Sequence, residues 1–176
     1  MTSRIESAQA GFRSGFVALV GRPNVGKSTL LNQILGRKVA ITSATPNTTR
    51  TRIRGVLDRP DSQIIFTDTP GLHRPRTALG SRLNETASAT FDDVDCCVLL
   101  VEADAAIGPG DRFIAQRLRP DTVIALNKID RVDATKVLHH LALAANELGL
   151  GQAEYFPLSA KTGEGVDALV DRSLWI

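Results

Sequence analysis

The chain has 176 residues, 43% of them hydrophobic, enough for one ordinary globular domain with a sizeable core. Its formal charge of +2 is too small for a surface built around a nucleic-acid backbone. No apolar run approaches the roughly 18 residues that a membrane-spanning helix needs, and the opening MTSRIESAQAGFRSG has no apolar signal core, so residues 1–14 are expected to form a polar, flexible tail of a cytoplasmic protein.

The first expected element is GFVALV, Gly15–Val20, a short and continuously apolar run of the kind that makes a strand buried on both faces. GRPNVGKS, Gly21 to Ser28, follows it and matches the phosphate-binding loop GxxxxGK[ST]; STLLNQILG then reads as a helix. The chemistry needs this strand–loop–helix context. Gly21 and Gly26 let successive N–H groups turn inward around phosphates, and the helix N-terminus adds its positive end. Lys27 reaches the β- and γ-phosphates, and the Ser28 hydroxyl is a Mg²⁺ ligand. Arg22, Pro23, Asn24 and Val25 fill the loop and Thr29 begins the helix, so the whole of Gly21–Thr29 is assigned to nucleotide binding. A structural loop without nucleotide is the competing reading.

The Thr-, Asn- and Pro-rich segment Ile41–Gly55 interrupts the strand–helix pattern and ends in TRTRIRG. Arg50, Arg52 and Arg54 would share one strand face there, either as the solvated face of an edge strand or as a contact surface for phosphate or RNA. Thr49 or Thr48 could complete a Mg²⁺ shell once this segment closes over a nucleotide.

QIIFTDT, Gln63–Thr69, is the next expected strand, and it runs into DTPG, Asp68 to Gly71. Asp68 at a strand end can hold Mg²⁺ through water, and a Gly71 N–H facing the γ-phosphate can report its loss. Thr69 and Pro70 belong to the same nucleotide-binding stretch. Leu72 follows where some GTPases keep a glutamine, and it cannot orient water. His73 reads as an exposed loop histidine.

DCCVLLVEA, Asp95–Ala103, carries the only cysteines, Cys96 and Cys97. Neighbours on a strand point to opposite faces, which argues for packing and against a bridge or metal site. TVIALNKID, Thr122–Asp130, ends in NKID, and that motif selects guanine. The Asp130 carboxylate can accept two hydrogen bonds, from N1–H and the exocyclic amine; adenine offers no such donor pair. Asn127 would pair with the base edge or brace the phosphate loop, and the Lys128 stem would lie flat along the base. After Asp130 a helix is expected, capped by Asp133, with Val137, Leu138, Leu141, Ala145 and Leu148 on its apolar stripe and Gly149 as its stop. His139 and His140 on this helix have no partners at metal spacing. EYFPLSA, Glu154–Ala160, is the last expected strand; its SAKTG end brings Ser159, Ala160 and Lys161 to the base, with the Ala160 N–H able to meet guanine O6.

This alternation predicts an α/β fold with a doubly wound, mostly parallel sheet in three α/β/α layers, of the P-loop NTPase kind, with ligands at the carboxyl ends of the strands. An ATP-using P-loop enzyme stays open as an alternative, as does a nucleotide-occupancy module that hardly hydrolyses.

GFVALVGRPNVGKSTLLNQILG, VAITSATPNTTRTRIRG, DTPGLHRPR, NKID and SAKTGEGVDAL together resemble the bacterial Era-type GTPases, in the translation-factor-related branch of P-loop GTPases. Relatives of the Der or tRNA-modification type more often continue TTR with Asp, where this chain has Thr51. The resemblance implies a G domain over 15–176 that binds GTP and GDP with Mg²⁺. It implies hydrolysis served by Lys27, Thr49 (favoured over Thr48), Gly71 and Asn24, with Mg²⁺ at Ser28, Thr49 and Asp68. Asn24 matches the asparagine that ligates K⁺ in cation-dependent relatives. It further implies maturation of the 30S ribosomal subunit, contact with 16S rRNA through a C-terminal KH domain, and peripheral association with the inner face of the cell membrane. KH domains need a GxxG loop, and no two glycines here stand three apart, so the KH domain is expected to be missing from this chain. Leu174, Trp175 and Ile176 suit a final helix that is continued or covered.

Overall fold

The computed structural model describes residues 12–36, 52–68 and 94–173. In chain order the elements are β1 (Arg13–Val20), α1 (Lys27–Leu35), β2 (Arg52–Arg59), β3 (Ser62–Asp68), β4 (Cys96–Glu102), α2 (Pro109–Ala115), β5 (Val123–Asn127), α3 (Ala134–Glu147), β6 (Tyr155–Pro157) and α4 (Val166–Ser173). The six strands form one sheet in the order β2-β3-β1-β4-β5-β6. Among the described residues only the β2–β3 pair is antiparallel, joined through the two-residue turn Pro60–Asp61, where proline pre-sets the turn backbone.

Each apolar strand feeds two cores because its side chains alternate between faces. Ala18, Val20, Cys97, Leu99, Val101, Ile124 and Leu126 meet α2 and α3 through Ile114, Ala115, Val137, Leu141, Ala144 and Leu148. Val17, Leu19, Cys96, Val98, Leu100, Val123 and Ala125 meet α1 and α4 through Leu30, Ile34, Val166, Leu169 and Val170. Three layers result, as the sequence pattern predicts. Cys96 and Cys97 fall into opposite cores with no disulfide between them, and the Cys96 thiol donates to the Cys97 carbonyl at 3.7 Å; burial pushes the Cys96 thiol up to about 11. They are packing residues.

Element ends differ from the sequence expectation in instructive places. β1 begins two residues early, because Arg13 and Ser14 pair with Ser62 and Gln63, so the sheet takes in residues expected in the tail. β5 stops at Asn127: Lys128 adopts a left-handed backbone (φ 69°) and Asp130 lies in a short 3₁₀ turn, Ile129–Arg131, not on the strand. β6 spans three residues only. β2 lies at the sheet edge, with a bulge between Ile53 and Gly55 that interrupts simple alternation of the arginines; Arg54 is exposed, while Arg50 and the Arg52 side chain lie outside the described residues. In α3 the Asp133 cap forms, its Oδ1 accepting the Lys136 N–H at 2.9 Å, and Gly149 follows with φ 67°. Its core-facing stripe, however, runs through half-buried Val137, His140 and Leu141 and buried Ala144 and Leu148. Leu138 is 69% exposed and Ala145 faces solvent, since a helix advancing 100° per residue carries them past the contact line. His140 Nδ1 meets the Ala103 carbonyl at 2.8 Å, a structural role.

Candidate functional site

The loop between β1 and α1 sits at the carboxyl edge of the sheet, beside the ends of β4 and β5. Its turns are made by positive-φ backbone at Gly21 (146°), Asn24 (63°) and Gly26 (108°). Gly26 is also the N-cap of α1, and it has no side chain to occupy the first N–H groups of the helix. Those donors and the aligned peptide dipoles therefore face the loop interior, the arrangement that receives a phosphate. The Lys27 ammonium folds back over the loop and donates to the carbonyls of Gly21 (2.8 Å) and Arg22 (2.7 Å). Ser28 and Thr29 are exposed at the start of α1, as are Pro23 and Asn24 in the loop; Val25 is buried beneath it.

Three motifs meet at one buried side chain. Asn127, only 2% exposed, donates from Nδ2 to the Val25 carbonyl at 2.9 Å and accepts the Ala160 N–H on Oδ1 at 2.9 Å. It thus ties the phosphate loop to the SAKTG loop. Of the two roles the sequence leaves open for Asn127, the structure shows the brace. The Ala160 N–H, expected at guanine O6, is used by this bridge. Gly26 is required here for a second reason: a Cβ would stand 2.2 Å from Asn127 Nδ2.

Next to the bridge lies the carboxylate that the sequence assigns to guanine. Ser159, fully buried, donates its hydroxyl to Asp130 Oδ1 at 2.6 Å and receives the Thr162 N–H at 3.1 Å. The Ser159 hydrogen bond holds Asp130 below the ordinary carboxylate range, with smaller help from Lys161, so the group is an acceptor at neutral pH. Asp130 itself is exposed, open to a ligand on its outer side.

Sequence reasoning missed two acids that pair with site residues. Arg22, expected only to line the nucleotide, sends Nε to Asp111 at 2.8 Å and Nη2 to Glu102 at 3.3 Å. Lys128 of NKID binds the other oxygen of the same Glu102 carboxylate. The available signal for Glu102 is an acid closing an otherwise apolar strand at the ligand-binding edge; Asp111 has none beyond its place near a helix start. Thr48, Thr49, Thr69, Pro70, Gly71, Leu72 and His73 lie outside the described residues, as does the Asp68 side chain, although its backbone ends β3.

The family described as 50S ribosome-binding GTPase matches residues 16–128. GTPase Era of Mycobacterium bovis and of Mycobacterium tuberculosis are each 53% identical over 166 residues, covering 91% of this chain and 55% of the relative. The chain thus spans about half the length of the curated relatives it matches. A crystal structure of Era in complex with MgGDPNP and nucleotides 1506–1542 of 16S ribosomal RNA has a TM-score of 0.75 at 37% identity, over 93% of this chain and 57% of that one. Aquifex aeolicus Era bound to GDP·AlF4⁻ gives 0.74 at 37% identity, over 92% and 56%. With phosphate loop, NKID and SAKTG gathered at one sheet edge, the chain belongs to the 50S ribosome-binding GTPase family and, within it, is of Era type.

Proposed function

We propose that this chain is a GTP-binding and GTP-hydrolysing switch that acts, as an Era-type domain, in assembly of the small ribosomal subunit. The observation that carries the nucleotide reading is Asn127, which locks phosphate loop, NKID and SAKTG into one unit at the carboxyl edge. Asp130, kept ionised by Ser159, then selects guanine by accepting from N1–H and the exocyclic amine. The Lys128 stem flanks the base, and Lys161 adds positive charge beside it.

Hydrolysis would follow in-line attack of water on the γ-phosphorus, breaking the bond to the β–γ bridging oxygen and leaving GDP and phosphate. Lys27, released from the Gly21 and Arg22 carbonyls, and the backbone N–H groups of Asn24–Thr29 would receive the growing negative charge. Ser28, exposed at the mouth of α1, offers a hard oxygen ligand, and with Thr49 and Asp68 it would hold Mg²⁺. That ion would supply neutralisation of the phosphate charge. Leu72 cannot orient water, which is why Asn24 is assigned a second, monovalent cation, K⁺; Gly71 would sense the γ-phosphate. The exposed, left-handed turn at Asn24 is compatible with its carboxamide reaching a bound ion.

Contact with 16S rRNA and the 30S subunit is proposed from the Era structure that contains nucleotides 1506–1542 of that RNA. The same reading places the chain in the cytoplasm, with peripheral contact at the inner membrane face; no described helix is long and apolar enough to cross a membrane. Single-turnover hydrolysis of GTP with and without small subunits tests the whole. Acceleration by subunits supports the switch. GTP bound but left intact under both conditions would favour an occupancy module, and equal competition by ATP would overturn guanine selection.

A further inference from the structure

Arg22, Glu102, Asp111 and Lys128 form a cluster that the nucleotide chemistry does not by itself explain. Glu102 is the last residue of β4, the strand between β1 and β5, and its partner in the ladder is Asn127. It therefore stands between the loop that leaves β1 and the motif that leaves β5. One carboxylate oxygen takes the Lys128 ammonium, and the other takes Arg22 Nη2 at 3.3 Å. Glu102 is 17% exposed, so both cations sit against a charge that water screens poorly.

The far side of Arg22 is fixed independently. Asp111, 1% exposed, accepts Arg22 Nε at 2.8 Å on one oxygen and the Gly108 N–H at 2.9 Å on the other. Gly110 leaves the space that the arginine stem fills, since a Cβ there would stand 2.9 Å from Arg22 Cδ. The two cations and two carboxylates balance, so deleting one carboxylate leaves a surplus positive charge in a half-buried place. Lys128 has the matching backbone: its left-handed φ of 69° turns the chain out of β5 at the residue whose ammonium reaches Glu102.

We propose that Glu102 is a positioning residue that couples the phosphate loop to the guanine motif, with Arg22 as the arm on the phosphate side, Lys128 as the arm on the base side and Asp111 as the anchor of Arg22. The functional meaning rests on the guanine-nucleotide reading above. A phosphate drawing on the loop shifts Arg22, and the shared carboxylate passes that shift to the lysine that flanks the base.

Hydrogen exchange on the nucleotide-free full chain tests the coupling without assuming nucleotide binding. In Glu102→Gln, amides of residues 21–28 and of 127–131 should both exchange at least about fivefold faster, a sub-global opening, while those of α4 stay at wild-type rates. Loosening of one loop alone, or of neither, overturns the proposal. Asp111→Asn supplies a second reading, which stands if Glu102→Gln does not fold: it should loosen 21–28 more than 127–131, and equal loosening across the sheet would count against it. Binding of fluorescent GDP then tests the consequence. Glu102→Gln and Lys128→Met should each weaken affinity about tenfold, and the double variant should lose clearly less than the roughly hundredfold that independent effects would give. Additive losses would overturn the positional link. A wild-type chain that binds no GDP would remove the functional reading and leave the exchange result to decide the coupling.

Discussion

Asn127 and Gly26 approach so closely that no side chain fits between them: a Cβ on Gly26 would lie 2.2 Å from the Asn127 amide nitrogen. The amide uses that approach to reach the Val25 carbonyl, while its oxygen holds Ala160. Asn127→Ala would strip the partners from both backbone groups. Each buried group left unpaired costs about 1–3 kcal/mol, so urea unfolding should show a loss of that order, along with weaker GDP binding. Because the loop and the SAKTG strand end would then move apart, the affinity loss should exceed that of a side chain touching the base alone. An unchanged unfolding midpoint would mean that the bridge does not form in solution.

Ser159 and Asp130 give a pH prediction with a definite sign. The Ser159 hydroxyl lowers the Asp130 pKa in the folded protein. A depressed carboxylate contributes stability that is fully present above its ordinary value and is lost as pH falls through the folded value. Guanine recognition needs the ionised form, so it should persist below the usual carboxylate range. In Ser159→Ala the acid-side loss of GDP binding should move to higher pH. The check is a binding titration with fluorescent GDP on the acid side of neutrality. A profile that does not move in the variant would show that Ser159 orients Asp130 without tuning it.

The cation at Asn24 is open to a direct comparison of salts. If the exposed, left-handed turn there holds K⁺ near the transferring phosphate, turnover should be faster in K⁺ than in Na⁺. Asn24→Ala should remove the difference. Equal rates in the two salts would sink the assignment, and the missing charge would have to come from a partner.

How much of this is legible in the sequence follows from where the information resides. The phosphate loop, NKID and SAKTG are local patterns whose chemistry fixes residue type and spacing, so Lys27, Asn127 and Asp130 could be named from sequence. The continuous apolar runs at β4 and β5 likewise announce burial on both faces. Three features were not readable. The helical stripe of α3 was misplaced at Leu138 and Ala145, because two apolar residues at permitted spacing compete and only the contact line of the sheet decides between them. The contact of the Ala160 N–H with Asn127 Oδ1 at 2.9 Å joins residues 33 positions apart, and no local pattern marks it. The pairing of Arg22 with Asp111 spans 89 positions, and nothing local marks either residue as the other's partner.

The most discriminating prediction concerns Asp130 itself. Its carboxylate is an acceptor on both oxygens, one satisfied by Ser159 and the outer face open to ligand. Guanine presents two donors there, N1–H and the amine on C2. Asp130→Asn replaces one acceptor by an NH₂ donor, which would face the guanine amine donor to donor. Xanthine carries an oxygen at C2, so the variant's NH₂ finds an acceptor where guanine offered a hydrogen. Hydrogen bonds to a charged group contribute about 1.5–3 kcal/mol each. Loss of one such bond, with the other left to a neutral amide oxygen, should lower GTP affinity by at least about 10–10²-fold, with XTP binding recovered to a large part of the wild-type GTP value. Competition of GTP, XTP and ATP against fluorescent GDP or XDP measures all three. If the variant lost GTP without gaining XTP, Asp130 would be a structural residue of the 3₁₀ turn. If wild type bound ATP as well as GTP, the base would be read elsewhere and the guanine assignment would fall with it.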